Sequence, residues 1–381
     1  MDFGLNEELE SFRRELRRFA THKLAPHYQE DDRLSHARPE LRRELAAMGL
    51  TGLRAPLQHG GQSADCVTTG IACEEVARAD FNAAYYVLNA ALITDILTSN
   101  GSDEQRRRFI PPIATGEHLP ALCLTEPDHG SDAAHLSVRA ERNGRGWRLV
   151  GEKTSVSFGM HAETALVFAR TGSDGAGGVS AFYVELDPGH VSRGAFADLG
   201  SHAVGRGSLH FDGLPVDEQR MVGREGEGFT SVMKGFDYSR ALIALMCIGC
   251  AQAAVDEAVE YARTREAFGQ PIGRFQGVAF PLVEHTTFLH AARLLSYEAL
   301  WRKDRGLPHT EEANMAKWWA PKISVEAAHQ VLLTFGHIGY SEETPHGQRL
   351  RDLIGLEIGD GTANIAKLVV ARSLLGRGHA P

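Results

Sequence analysis

Hydrophobic residues recur at helical spacing along the first third of the chain. Steps of four, three, four and three residues separate Leu5, Leu9, Phe12, Leu16 and Phe19. This spacing places one apolar stripe on an amphipathic helix, for which Asn6 is a suitable N-cap. Weaker helical patterns cover residues 37–49, 66–99 and 103–116. We therefore predict an N-terminal helical domain over residues 1–118.

The hydrophobic period changes to two from residue 119 onwards. Alternating patterns predict strands at residues 121–124, 136–140, 147–150, 164–169 and 180–184. The dipeptide Asn143-Gly144 is a typical hairpin turn between two of these strands. We expect a small antiparallel β domain over residues 119–228.

Helical patterns return after residue 228. Residues 239–264 are apolar on nearly every side, which predicts a central, buried helix. Two more long helices are expected at residues 275–304 and 310–335. Pro281 and Pro321 fall inside them, which predicts a kink or a later start. Residues 229–381 should therefore form a C-terminal helical domain.

The composition is that of an ordinary globular protein. Of the 381 residues, 43% are hydrophobic and 23% are charged. The net charge of -9 does not favour a nucleic-acid partner. The N-terminus has no basic segment followed by an apolar run, and no stretch of ~20 uninterrupted apolar residues occurs. We expect no signal peptide and no membrane span.

The cysteines and histidines predict no disulfide framework and no metal site. The five cysteines are Cys66, Cys73, Cys123, Cys247 and Cys250. Their odd number favours free thiols in a reducing compartment, so we expect the protein in the cytoplasm. The last two lie in an apolar run, which favours core packing. His285 and His290 are five residues apart and do not share a helix face. The Gly-x-Gly-x-x-Gly pattern of a Rossmann fold is absent.

One acid near the C-terminus is a candidate for chemistry. Asp360 stands between Gly359 and Gly361, so nothing bulky covers its carboxylate. Thr362 is a suitable N-cap for a helix that continues through Ile365. Taken alone, the motif also fits a solvated turn.

Three more segments could hold a polar ligand. Residues 124–132 carry a strand end into a Gly-Ser turn, which offers backbone N–H groups and hydroxyls. Residues 263–276 place a cation, an aromatic ring and an amide around a helix break. Residues 335–340 contain a glycine turn after a helix. Each motif alone is weak.

Together, in this order and spacing, the four segments resemble the acyl-CoA dehydrogenase family. The resemblance implies an α+β fold with an N-terminal helical domain, a middle antiparallel β domain and a C-terminal four-helix bundle. It also implies bound FAD, an acyl-CoA substrate, a homotetramer and an electron-transferring flavoprotein as electron acceptor. Asp360 stands where the catalytic acid of the family most often stands.

The resemblance also implies binding residues. Flavin contacts fall on Leu122, Leu124, Thr125, Gly130, Ser131, Ser155, Ser157, Thr362 and Asn364. Contacts with the adenosine and pyrophosphate, across a subunit boundary, fall on Arg265, Phe268, Gln276, Leu333, Gly336 and His337. Substrate contacts fall on Ser131, Asp237, Ser239, Arg240, Gly359 and Gly361.

Several positions depart from the pattern of the family. The acid is Asp rather than the commoner Glu, and Ser239 occupies the position where some members carry the acid instead. His337 replaces a glycine, which leaves its adenosine contact open. Ser155 and Gly359 replace larger, aromatic residues, which predicts space around the reacting carbons.

The expected wall of the acyl pocket consists of Tyr85, Tyr86 and Leu88, which should shorten the pocket. A wide and short pocket suits a ring or a branched acyl group, and these features resemble the cyclohexanecarboxyl-CoA dehydrogenase branch. Asp80 is a second candidate acid, although a helix-end role is its default interpretation.

Three other functions stay open within the same fold. One is a flavin oxidase or monooxygenase similar to nitroalkane oxidases, which also use an Asp base. The second is a dehydrogenase of acyl-carrier-protein thioesters, and the third is a non-catalytic flavoprotein. Residues 237–240 resemble the CoA-binding segment of the family and favour the CoA thioester. Retention of an acid at position 360 argues against a non-catalytic role.

Overall fold

The computed structural model describes residues 4–381. It begins with six helices, which are α1 (Glu7–Phe19), α2 (Tyr28–Leu34), α3 (Leu41–Ala47), α4 (Cys66–Ala79), α5 (Phe81–Asn100) and α6 (Asp103–Ala114). The predicted cap of α1 is confirmed, because the side chain of Asn6 accepts a hydrogen bond from the Leu9 N–H at 2.8 Å. Helix α2 was not predicted.

The single helix predicted at residues 66–99 is wrong, because α4 and α5 are separate helices. Asp80 adopts an extended conformation with φ -146° between them. Its carboxylate accepts a hydrogen bond from the Ala83 N–H at 2.9 Å, so Asp80 is the N-cap of α5. Because of this break, α5 runs in its own direction and lines a cavity beside the sheet.

A mainly antiparallel sheet follows. Its strands are β1 (Pro120–Cys123), β2 (Arg139–Asn143), β3 (Gly146–Val156), β4 (Thr164–Arg170), β5 (Val179–Glu185), β6 (Val191–Ala195), β7 (Gly207–Val216) and β8 (Met221–Val222). The order is β6-β7-β3-β2-β4-β5-β8, and β1 pairs with β4 in parallel. The predicted hairpin is confirmed, since Asn143 pairs with Gly146 across the turn. Strands β6 to β8 were not predicted.

The last part of the chain is helical. Its helices are α7 (Gly228–Thr264), α8 (Gln276–Asp304), α9 (Thr310–Phe335), α10 (His337–Tyr340), α11 (His346–Ile358) and α12 (Ala363–Leu375). A short hairpin of two strands, β9 (Glu266–Ala267) and β10 (Gln270–Pro271), lies between α7 and α8. Pro281 and Pro321 lie inside α8 and α9, so the alternative of a later helix start is wrong. The boundaries of the three domains, at residues 118 and 228, stay predictions.

Helix α7 is the centre of the helical core. It packs against α4, α5, α8 and α9. By length and composition it could cross a membrane, and it is the one such helix in the described part of the chain; 78% of its most apolar window is buried in the fold. That burial is typical of a core helix. Cys247 and Cys250 lie in it as free, buried thiols.

Candidate active site

A cavity of about 520 Å³ opens where the sheet meets α5, α7 and the loop between α11 and α12. Its walls are largely apolar. Helix α5 contributes Tyr85, Leu88 and Leu92, and helix α7 contributes Phe229 and Met233. Such a space is concave, with more apolar than polar surface, as binding sites for small molecules are.

Asp360 lines this cavity from the α11–α12 loop. Asp360 and Gly361 both have positive φ, at 55° and 100°. A short polar side chain tolerates the left-handed region better than most, so the turn suits Asp as well as Gly. Thr362 then caps α12 by accepting a hydrogen bond from the Ile365 N–H, which confirms the predicted cap.

Two residues of α7 hold Asp360. The Ser239 hydroxyl donates to the Asp360 carboxylate at 2.9 Å, and the Arg240 Nε donates to the Asp360 backbone oxygen at 3.3 Å. Ser239 is fully buried, and Arg240 is 5% exposed. The carboxylate is therefore oriented from behind while the cavity in front of it stays open.

Arg240 is itself fixed by Asp237. Its Nη1 lies 3.3 Å from the Asp237 carboxylate, which also accepts a hydrogen bond from the Thr310 hydroxyl at 2.6 Å. Burial lowers the pKa of the Arg240 guanidinium, against the opposing charges of Asp237 and Asp360. Of the predicted substrate residues on α7, Arg240 lines the cavity, while Asp237 and Ser239 lie behind it.

Lys317 is a component of the site that the sequence analysis missed. It is 1% exposed, and its Nζ donates to the backbone oxygens of Leu356 at 2.9 Å and Gly361 at 3.0 Å. Burial lowers the pKa of Lys317 to about 8, although the charge of Asp360 opposes this shift. A lysine among Ala316, Trp318 and other apolar residues of α9 was the available signal.

The sheet supplies the opposite wall. Leu122, Leu124, Thr125, Gly130, Ser131, Ser155 and Ser157 line the cavity, as does Thr154. Pairing of β3 with β7 is interrupted between Lys153 and Val156, and Ser155 has φ 57°. This bulge lifts two hydroxyl residues out of the ladder, so they can meet a ligand.

A buried ion pair fixes both segments of this wall. Lys153 and Glu126 are 0% and 2% exposed, and Nζ lies 2.7 Å from the carboxylate. Nζ also donates to the Leu124 backbone oxygen at 2.8 Å. Burial lowers the pKa of Lys153 to about 8. Burial acts to raise the pKa of Glu126, but the charge of Lys153 and hydrogen bonds from Lys153 and Ser137 lower it below its usual value. Lys153 and Glu126 were not predicted as site residues from the sequence.

Arg206 is a further missed residue on this wall. Its Nη1 donates to the Ser155 hydroxyl at 2.8 Å, and its Nε donates to the Asp198 carboxylate at 2.8 Å. Both charged residues line the cavity. The opposite charges of Arg206 and Asp198 therefore lie side by side next to Ser155.

Some predicted residues lie away from the cavity. The six residues expected to contact adenosine and pyrophosphate are exposed on the protomer surface, and they are Arg265, Phe268, Gln276, Leu333, Gly336 and His337. Asn364 is exposed on α12. Tyr86 does not line the cavity but packs on Phe158, with ring centroids 4.5 Å apart, so its assignment to the wall is wrong. Tyr85 and Leu88 do line it.

Asp80 also lies away from the cavity, as the N-cap of α5. It is 1% exposed, and burial raises its pKa to about 7, with the nearby acids Asp31 and Asp352 adding to the shift. The default interpretation of Asp80 as a helix-end residue is therefore confirmed.

Models of three protein-family domains match the chain. They describe the N-terminal domain of acyl-CoA dehydrogenases at residues 6–117, the middle domain at 121–214 and the C-terminal domain at 226–375. The chain belongs to the acyl-CoA dehydrogenase family. An enzyme of this family is an oxidoreductase that acts on the CH–CH group of acyl-CoA, and its cofactor is FAD.

Individual relatives match over nearly their full lengths. An acyl-CoA dehydrogenase of Bacillus subtilis (strain 168) is 34% identical over 377 residues, or 98% of this chain and 99% of the relative. A 3-(aryl)acrylate reductase of Clostridium sporogenes (strain ATCC 15579) is 32% identical, over 97% and 99%. The structure of butyryl-CoA dehydrogenase from Megasphaera elsdenii has a TM-score of 0.95 at 32% identity, over 98% and 100%.

The residues of this acyl-CoA dehydrogenase fit a flavin. The bulge of β3 presents Thr154 and Ser155 to the cavity, and the Thr154 N–H donates to the Thr125 backbone oxygen at 2.9 Å, which joins the two segments. A Cβ added at Gly130 would meet no atom within 4 Å, so the turn at that position is open. Hydroxyls and an open turn on one wall suit a planar polar ring.

Proposed function

We propose that this chain introduces a double bond between the α- and β-carbons of an acyl-CoA thioester, with Asp360 as the base that takes the α-proton. The observation that carries the proposal is the carboxylate of Asp360, which Ser239 holds at 2.9 Å and which lines the cavity opposite the hydroxyl-bearing wall of the sheet. When bound, FAD supplies the acceptor for the β-hydride at flavin N5.

The remaining work of the chain is positioning and electrostatics. Lys317 and Arg240 hold the loop at the acid and just after it, through the backbone oxygens of Gly361 and Asp360. A backbone N–H beside Asp360 would polarise the thioester carbonyl and make the α-proton more acidic. A positioned base contributes about two to four powers of ten to the rate.

The shape of the acyl pocket supports a ring or a branched acyl group, such as the cyclohexanecarboxyl group. A Cβ added at Gly359 would make ordinary van der Waals contacts with Leu356 and Gly355, at 3.4 Å and 3.5 Å, so glycine leaves room beside the base that a larger side chain would fill. Tyr85, Leu88 and Leu92 of α5 narrow the cavity on one side. The relative named 3-(aryl)acrylate reductase has a ring in its named substrate class.

Anaerobic reduction of bound FAD tests this proposal. The substrate preference is tested separately, by steady-state kcat/KM with a dye as electron acceptor. The substrates compared are cyclohexanecarboxyl-CoA, a branched short-chain acyl-CoA and octanoyl-CoA. We expect octanoyl-CoA to be the poorest substrate. A tenfold preference for octanoyl-CoA, about 1.4 kcal/mol of transition-state binding, would contradict the wide pocket. Reduction only by carrier-protein thioesters, or rapid reoxidation by oxygen, would favour the two other enzyme functions.

The assembly we propose is a cytoplasmic homotetramer that passes electrons to an electron-transferring flavoprotein. Large apolar side chains on α8 are between 38% and 62% exposed, and they are Phe280, Val283, Phe288, Leu294 and Trp301. Exposed apolar surface on this scale marks interaction sites. The six exposed residues expected to contact adenosine would then contact the FAD of a neighbouring subunit. A monomer by light scattering that still retains FAD would contradict this assembly.

A further inference from the structure

One side chain on the α5 face of the cavity, Asn89, is an amide whose oxygen has no hydrogen-bond donor among the described residues. Tyr85, Leu88, Asn89 and Leu92 follow one another on α5 at spacings of three, one and three residues, so they share one face, and all four line the cavity. Asn89 is 8% exposed, and its neighbours Leu88 and Leu92 are apolar. An amide in this position is unusual, because burying a polar group costs free energy unless it is hydrogen-bonded.

The orientation of the Asn89 amide follows from its one bond. Its Nδ2 donates to the backbone oxygen of Pro120, at the start of β1. Since that oxygen can only accept, the nitrogen must face the sheet, and Oδ1 is the remaining acceptor. Among residues 4–381, no donor reaches Oδ1.

The place of Asn89 along α5 relates it to the reacting carbons. The N-terminal end of α5 packs against α11, the helix that leads into the Asp360 loop, because the Asn82 side chain donates to the Asp352 carboxylate at 3.4 Å. Tyr85 lies one turn after Asn82, so it is on the side of the acid. Asn89 is four residues further on, which places it about 5–6 Å along the same helix face. A substrate group that meets Asn89 therefore lies beyond the reacting carbons, on the far side of a ring.

We propose that Asn89 Oδ1 accepts a hydrogen bond from a hydroxyl group on the far side of the acyl ring, so that the preferred substrates are hydroxylated alicyclic acyl-CoA thioesters. This proposal rests on the proposed dehydrogenase function and narrows its substrate class. A neutral hydroxyl fits better than an ammonium group, because the neighbouring Leu88, Leu92 and Leu122 would leave a charge without solvation. A pocket that offers a buried acceptor discriminates against the analogue that lacks the donor.

The test compares 4-hydroxycyclohexanecarboxyl-CoA with cyclohexanecarboxyl-CoA in wild type, Asn89→Leu and Asn89→Ala. We expect wild type to prefer the hydroxylated thioester by tenfold or more in kcat/KM, and both variants to lose that preference. The matched control is Asn100→Leu, because Asn100 also lies on α5 and also donates Nδ2 to a backbone oxygen, that of Ile96 at 2.8 Å, but does not line the cavity. The control should keep the preference.

Binding separates this inference from the proposed function. The dissociation constants of both thioesters are measured by calorimetry on FAD-loaded Asp360→Asn enzyme, with and without Asn89→Leu. If no thioester reduces the flavin of wild type, the dehydrogenase function fails, while a tenfold binding preference that depends on Asn89 still supports the inference. Equal affinities for the two thioesters, or a preference that survives Asn89→Leu, would overturn it. A changed flavin reduction potential in Asn89→Leu would place Asn89 against the cofactor and would also overturn it.

Discussion

Replacement of Lys317 by Met should impair the chemistry more than the stability. The substitution keeps the length of the side chain but removes the donor to the backbone oxygens of Leu356 and Gly361. Each hydrogen bond from a charged donor contributes about 1.5–3 kcal/mol, or roughly 3–6 kcal/mol for two. Burial offsets much of this, since a pKa lowered from 10.5 to about 8 corresponds to a cost of about 3 kcal/mol at neutral pH.

The net loss in the free energy of unfolding should therefore be only about 0–3 kcal/mol. The loop that carries Asp360, however, loses its tether to α9. A displacement of about 1 Å at a reacting group costs about a hundredfold in rate. We expect flavin reduction by the preferred acyl-CoA to slow by about that factor, with FAD still bound.

Stopped-flow reduction under anaerobic conditions and thermal unfolding measure the two effects. Lys322→Met is the matched control, because Lys322 also lies on α9 but is 52% exposed and pairs only with Glu326. Its effect on both measurements should be small, as for other exposed ion pairs. Wild-type reduction rates in Lys317→Met would refute the positioning role. In wild type, the cost of burying the charge is present below about pH 8, and stability should rise between pH 8 and 10.5 as the folded protein releases the proton.

Three other substitutions have defined outcomes. Asp360→Asn should keep FAD and thioester binding but slow flavin reduction by about two to four powers of ten in stopped flow; near-normal reduction would show that another group takes the proton. Ser239→Ala removes the bond that orients Asp360, so reduction should slow by up to about tenfold while the affinity for FAD is unchanged, and a larger loss in affinity than in rate would contradict that role. Asp80→Asn keeps an N-cap but removes a buried acid whose pKa is raised from 3.8 to about 7. In wild type, the folded state holds the Asp80 proton until about pH 7, whereas the unfolded state releases it near pH 4, so the free energy of unfolding falls between pH 4 and 7. Above pH 7, chemical unfolding should therefore show Asp80→Asn to be more stable than wild type, by at most about 4 kcal/mol. The exposed N-cap variant Asp65→Asn should show no such gain, and an equal gain in both would refute the burial argument.

Local patterns in the sequence determined the order of helices, strands and helices. The period of hydrophobic residues depends on neighbours a few positions apart, so α1, α8 and α9 were predicted close to their observed bounds. The motif around Asp360 and its cap, Thr362, is equally local, and the resemblance to a family extended it to the sheet wall. Strands β6 and β8 were missed because they are short. Strand β7 was missed because Gly213, with φ 69°, and Pro215 interrupt its alternating pattern.

Only the tertiary structure decided what surrounds the acid. The partners of Asp360 and of its loop lie 44 to 121 residues away in the chain, and no periodicity relates positions that far apart. The same holds for Lys153 with Glu126, and for Asn89 with Pro120. A buried polar residue signals that it needs a partner, because leaving it unpaired is costly, but which partner it finds depends on how the helices pack against the sheet.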